Sequence, residues 1–231
     1  MKFFVPLLLL VLMAPVSAGR EYVILSGGPA LRQWEKTKQF PHDRVWDNFI
    51  FTAGLRIAQI KERGLAEGDR ITWLIPRLSY ETRGREDGKD YIAIIEQRAA
   101  ENGVNLVWIY RNDMEQQEII DYLNSGQDRN TLKVGAFDFF GHSNKSCFMI
   151  DYSNDLDGVS SIFLHKEHLK KIKPEVFAPD ATAWSGGCYS GDGFIQAWKK
   201  ATGVRMVGTK NKTSYETRSW PFPSKDGYWE E

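Results

Sequence analysis

Residues 180–194 read "DATAWSGGCYSGDGF". A small apolar run ends in Gly186-Gly187, presents Cys188 and passes into "GDGFIQAWKKATG" (191–203), where apolar residues return every three to four positions. Strand, glycine turn and helix in that order form a unit of the kind that builds parallel sheets. The same alternation recurs on both sides. "EYVILSGG" (21–28), "DRITWLIP" (69–76), "VNLVWIY" (104–110), "LKVGAFDFFGHS" (132–143) and "VRMVGTK" (204–210) are strand-like runs. Segments 43–64, 90–103 and 113–126 between them carry helical periodicity. The charged stretch through Lys89 reads as an exposed loop, 147–153 as part of a hairpin and 165–172 as a short helix. The near-continuous apolar strands predict an α/β fold, a three-layer α-β-α sandwich around a mostly parallel six-stranded sheet.

The N-terminus predicts export. Lys2 precedes the apolar run Phe3–Met13, and Val16-Ser17-Ala18 is a small-residue cleavage site. This is the pattern of a secretory signal peptide cut after Ala18, so the protein is expected to be secreted or periplasmic. Residues 19–231 are expected to form one domain, ending in an aromatic tail (about 211–231) too proline-rich for regular structure. No later segment is apolar enough to span a bilayer. Thirty basic side chains balance thirty acidic ones, leaving no global field for nucleic acid or anionic lipid. Two cysteines are too few for a disulfide-stapled scaffold, so the fold must rest on its core.

In open parallel sheets, functional groups gather at the carboxyl ends of the strands. Of four histidines only His142 sits at such an end, and Cys188 lies at the end of the next long strand. A thiol needs a base to become thiolate, and imidazole titrates in the right range. The glycines around Cys188 shape a tight turn and free backbone N–H groups near a helix start, where an oxyanion can be held. The same residues also allow a Cys147–Cys188 disulfide, a packed structural thiol, or a metal site from His142, Cys147 and Cys188, although that set lacks a recognisable ligand spacing. Asp138 shares a strand face with His142 by period two, either orienting the imidazole or paired elsewhere. "SGGP" (26–29) lacks the phosphate-loop and dinucleotide patterns, and no cofactor is expected. Asn144-Lys145-Ser146 and Asn211-Lys212-Thr213 match glycosylation sequons; both are read as chance matches, because a glycan on Asn144 would block the neighbouring base.

These residues carry a resemblance. "FDFFGHS" (137–143) and "GGCYSGD" (186–192) resemble the histidine strand and cysteine turn of the caspase-like cysteine peptidases. In chain order the sequence is most similar to the legumain (asparaginyl endopeptidase) family. "YVILSGG", "HDRVWDNFIFTAGLRIAQIKERGLAEGDRITWLI" and "VRMVGTKNKTSYE" resemble its first strand, its first helix with the second strand, and the strand and loop lining its substrate pocket. The resemblance implies an endopeptidase acting on a peptide or protein, with Cys188 as nucleophile and His142 as general acid and base. It implies oxyanion donors from the backbone at Gly141, Ser143 and Gly187, and substrate contacts from Arg44, Ser185, Thr209 and Ser214. Two departures stand out. Ser143 occupies the position where the family has glycine, and Gly186 the position of an acidic pocket residue, so asparagine specificity does not carry over. Two further classes remain in view: a non-catalytic binding module with the cysteines bridged, and an amidase acting on cell-wall peptides.

Overall fold

The computed structural model describes residues 19–36, 44–110, 117–152, 162–215 and 219–231. The signal peptide read at 1–18 lies outside them. In chain order the elements are β1 (Gly19–Ser26), α1 (Arg32–Glu35), α2 (Asn48–Glu62), β2 (Arg70–Pro76), α3 (Arg77–Asp87), α4 (Tyr91–Glu101), β3 (Asn105–Ile109), α5 (Gln117–Ser125) and β4 (Leu132–Phe140). They continue with β5 (His142–Ser143), β6 (Cys147–Asp151), β7 (Ile162–His165), β8 (Phe177–Ser185), α6 (Phe194–Thr202), β9 (Met206–Lys210), β10 (Thr213–Ser214), β11 (Phe222–Pro223) and β12 (Tyr228–Glu230).

The central sheet has seven strands in the order β12-β9-β8-β4-β1-β2-β3. Six of these strands run parallel to their neighbours, and β12 runs antiparallel to β9. Period two divides each strand between two cores. Val23, Leu25, Phe137, Phe139 and Ala183 face one core, with Ile119, Ile120 and Leu123 of α5 and Phe194, Ile195 and Trp198 of α6. Ile24, Trp73, Ile75 and Phe140 face the other, with the Phe49–Ile60 stripe of α2, Tyr80 of α3 and Ile92 and Ile95 of α4. Strands buried on both faces explain the continuous apolar runs, and the fold is the expected three-layer sandwich.

Four expectations need correction. The sheet has seven strands, because the tail supplies β12; it is held by pairing on β9 and by the Trp229 ring, tilted against Trp184 at 4.9 Å. The tail also forms a short ladder, β10 with β11. The charged stretch before Lys89 is helix α3, not an exposed loop. Its Ser79, Tyr80 and Arg83 are fully buried, Arg83 donating to Ala30 O and Tyr80 to Gly27 O, so the helix packs through polar groups that a hydropathy pattern does not register. Segment 165–172 ends β7 and then makes only a 3-10 turn at Leu169–Lys171. Finally, the run 132–143 is not one strand. β4 stops at Phe140, and His142-Ser143 leaves the main sheet to pair with β6 in the small antiparallel sheet β5-β6-β7.

Candidate active site

Strand order reverses between β1 and β4, and in open α/β sheets functional groups gather at the carboxyl ends beside such a reversal. Beside it, β4 and β8 are neighbours with Phe139 opposite Ser185. Counted from the paired residues Phe139 and Ser185, His142 and Cys188 each lie three positions further on, so the topology brings both to one rim. Ser143 closes the junction, its Oγ donating to Cys188 O at 2.6 Å. Gly186 N–H donates to Phe139 O at 2.8 Å, fastening the cysteine turn to the end of β4.

The turn itself is built from small groups. Gly187 N–H donates to Ser185 Oγ at 3.2 Å, and Ser190 Oγ donates to Gly187 O at 2.9 Å while accepting from Thr209 N–H at 3.2 Å. Ser185 and Thr209 are wholly buried, and Thr209 Oγ1 accepts from Thr213 Oγ1 at 2.8 Å. Both therefore hold the turn together rather than face a substrate. A Cβ on Gly187 would lie 2.1 Å from Ser143 Oγ, so the serine hydroxyl occupies the space that only glycine leaves open. Tyr189 completes the turn in the left-handed region, with φ 57°.

The Cys188 thiol is half-buried and faces β10, where Thr213 N–H points at Sγ across 3.3 Å. The same thiol reaches Thr213 O at 3.7 Å, so one residue of β10 meets it with both a backbone donor and a backbone acceptor. The His142 ring lies between Phe49 of α2, edge-on at 5.1 Å, and Tyr152, tilted at 4.8 Å. Phe49 also meets Tyr215 edge-on at 5.0 Å, and Tyr215 Oη donates to Gly186 O at 2.9 Å. A side chain at Gly186 would collide with that phenol, its Cβ 2.3 Å from Tyr215 Oη. The space beside Gly186 is thus filled by Tyr215.

Asp138 is committed elsewhere. It is 2% exposed and accepts from Arg56 Nε of α2 at 2.7 Å; burial pushes its carboxyl upward, against the pull of the guanidinium. The two cysteines are both thiols, not a disulfide. Cys147 is buried next to Asn144 Oδ1 at 3.5 Å, and burial raises its thiol. Arg44 is exposed ahead of α2, and Ser214 is half-buried beside Thr213. Gly27 and Gly28 of the "SGGP" loop donate to Phe140 O and Ile150 O, both at 2.7 Å, so this loop is a seam under the site. Among the described residues no cluster of His, Cys, Asp and Glu is arranged to hold a metal ion.

Sequence reasoning missed Phe49, Tyr152, Thr213 and Tyr215. Phe49 belongs to the α2 apolar stripe and carried no mark of a second role. Thr213 acts through its backbone N–H, which no residue type reveals. A cleft of about 620 Å³ lies alongside, lined by Asn144, Lys145, Ser146, Tyr189 and Asp192. No protein-family model, curated protein or solved structure matches the chain.

Proposed function

We propose that the protein is an exported cysteine endopeptidase of the caspase/legumain-like type, hydrolysing peptide bonds in a peptide or protein substrate. The observation that carries this reading is the convergence of two adjacent strand ends: the half-buried Cys188 thiol, facing a backbone donor, on the same rim as an imidazole held between aromatic rings. The signal-peptide pattern of residues 1–18 supports the exported location.

In this mechanism the Cys188 thiolate attacks the scissile carbonyl and forms a C–S bond while the carbonyl oxygen takes the negative charge. Collapse of the tetrahedral adduct expels the amine, which takes its proton from His142. Water, deprotonated by the same imidazole, then cleaves the thioester and restores the thiol. Because Gly187 N–H is engaged by Ser185 Oγ, the oxyanion donors are assigned to the Gly141–Ser143 turn and the Cys188 backbone.

The test is hydrolysis of a casein-derived peptide mixture by wild type, Cys188→Ala and His142→Ala. Each substitution should abolish turnover while thermal unfolding stays cooperative, and full activity in either variant overturns the assignment. Alkylation of the native protein should count two thiols, one reacting fast near neutral pH. No reactive thiol would favour the non-catalytic binding module, and activity confined to cell-wall fragments would favour the amidase.

A further inference from the structure

We infer that the cleft beside Cys188 recognises a carboxylate on the part of the substrate that departs with the amine, an inference that rests on the peptidase reading above. The location follows from connectivity. His142 runs through Ser143 directly into the turn 144–146, which forms one wall of the cleft, and Tyr189, next after Cys188, forms the other with Asp192. By this connectivity the cleft is assigned to the side of the imidazole, where the leaving nitrogen takes its proton. The opposite flank of the thiol is closed by Thr213 and, beneath Gly186, by Tyr215.

The chemistry follows from which polar atoms are already used. Asn144 Oδ1 accepts from Ser146 N–H at 2.7 Å and from Cys147 N–H at 3.0 Å, so the amide oxygen is already used and its NH2 is the group left to meet a ligand. Lys145 is exposed, and among the described residues its ammonium has no carboxylate partner; the Ser146 hydroxyl is likewise unengaged. The one acid of the lining, Asp192, is balanced by Lys210 Nζ at 3.3 Å and accepts from Asn211 N–H at 3.4 Å. Among the described residues, Lys145 on the lining and Lys210 beside it, against Asp192, give an excess positive charge and a surplus of donors. Such a rim selects an acceptor, and an anion above a neutral amide. The exposed Tyr189 ring supplies an apolar wall for the carbon atoms that carry the group. An Asp or Glu side chain and a free C-terminal carboxylate present the same chemistry.

The experiment uses peptides of known sequence, each prepared with a free C-terminal carboxylate and with a C-terminal amide, with new termini identified by mass spectrometry. Cleavage with Asp or Glu in the first two positions after the scissile bond should exceed the Asn or Gln counterparts roughly fivefold. If the terminal carboxylate is the source, the free-acid peptides should instead exceed the amides by a similar factor. Lys145→Gln should bring either preference close to unity, whereas Lys199→Gln, on α6 outside the cleft, should leave it in place. Cleavage indifferent to both carboxylates overturns this inference and leaves the peptidase reading intact. Absence of cleavage in the wild type, matched by Cys188→Ala, removes both.

Discussion

Ser143 and Gly187 share one space: the serine Oγ sits where a Cβ on Gly187 would fall, 2.1 Å away, and the same hydroxyl donates to Cys188 O at 2.6 Å. The histidine segment and the cysteine turn are thereby fitted to each other. Gly187→Ala should cost about 2 kcal/mol through overpacking, and Ser143→Ala about 1 kcal/mol through the lost hydrogen bond. The pair Ser143→Gly with Gly187→Ala should be less destabilised than the sum of its single variants, since removing the hydroxyl opens room for the new methyl. Urea unfolding of wild type, Ser143→Gly, Gly187→Ala and the double variant checks this; strict additivity would mean that the two positions do not compete.

Thr213 bears on the thiol through its main chain. Thr213→Pro deletes the N–H that faces Sγ, and its β10 partner is Pro223, so little of the ladder is lost. Alkylation of Cys188 at neutral pH should slow roughly fivefold, because the thiolate loses a charge-assisted bond. Thr213→Val keeps the N–H and loses only the hydroxyl that reaches Thr209. It should alkylate nearly as fast as wild type, with a small loss of thermal stability. Equal slowing in both variants would assign the effect to packing.

The six parallel strands were legible because a strand buried on both faces leaves an uninterrupted apolar run. Helix α3 was not, because it docks through Arg83, Ser79 and Tyr80, and polar residues at helical spacing look like a solvated loop until their partners are known. Asp138 shows the same limit within the site. Its position on the His142 face was readable, but its partner Arg56 lies far away in sequence on α2. The residues His142 and Cys188 could be named from strand ends alone. Their surroundings (Phe49, Tyr152, Thr213, Tyr215) come from three separate segments joined only by the fold.

Asp87 and Tyr91 set the response to pH extremes. Burial alone would raise the Asp87 carboxyl, but Arg32, Tyr91 and Arg83 all bond to it and hold it below its ordinary value. A depressed carboxylate stabilises the fold above its unfolded pKa, and this stabilisation is lost as pH falls through the folded value. Asp87→Asn should therefore be less stable than wild type at neutral pH and lose less stability below about pH 4. Burial, followed by the bond to Asp87, pushes the Tyr91 phenol up to about 12. Here the unfolded chain ionises first, so stability declines as pH rises from about 10 toward the folded value. Tyr91→Phe should flatten that alkaline limb. Guanidinium melts across pH 3–11 would read both effects, and parallel pH profiles for wild type and variants would exclude them.

The tail completes the sheet rather than decorating it. β12 covers the edge of β9 by pairing Tyr228, Trp229 and Glu230 with Lys210, Thr209 and Gly208. Trp229 packs on Trp184 at 4.9 Å, and Trp220 packs on the same ring at 5.0 Å. Deleting residues 228–231 removes a strand and uncovers β9, one strand away from the cysteine turn. The truncated protein should lose about 2 kcal/mol, chiefly from the half-buried indole, and should self-associate through the open edge. Trp229→Ala removes the ring but keeps the strand, so it should lose most of that stability while staying monodisperse. Calorimetry with light scattering separates the two contributions. An unchanged melting temperature in the truncated chain would show that β12 closes the sheet without stabilising it.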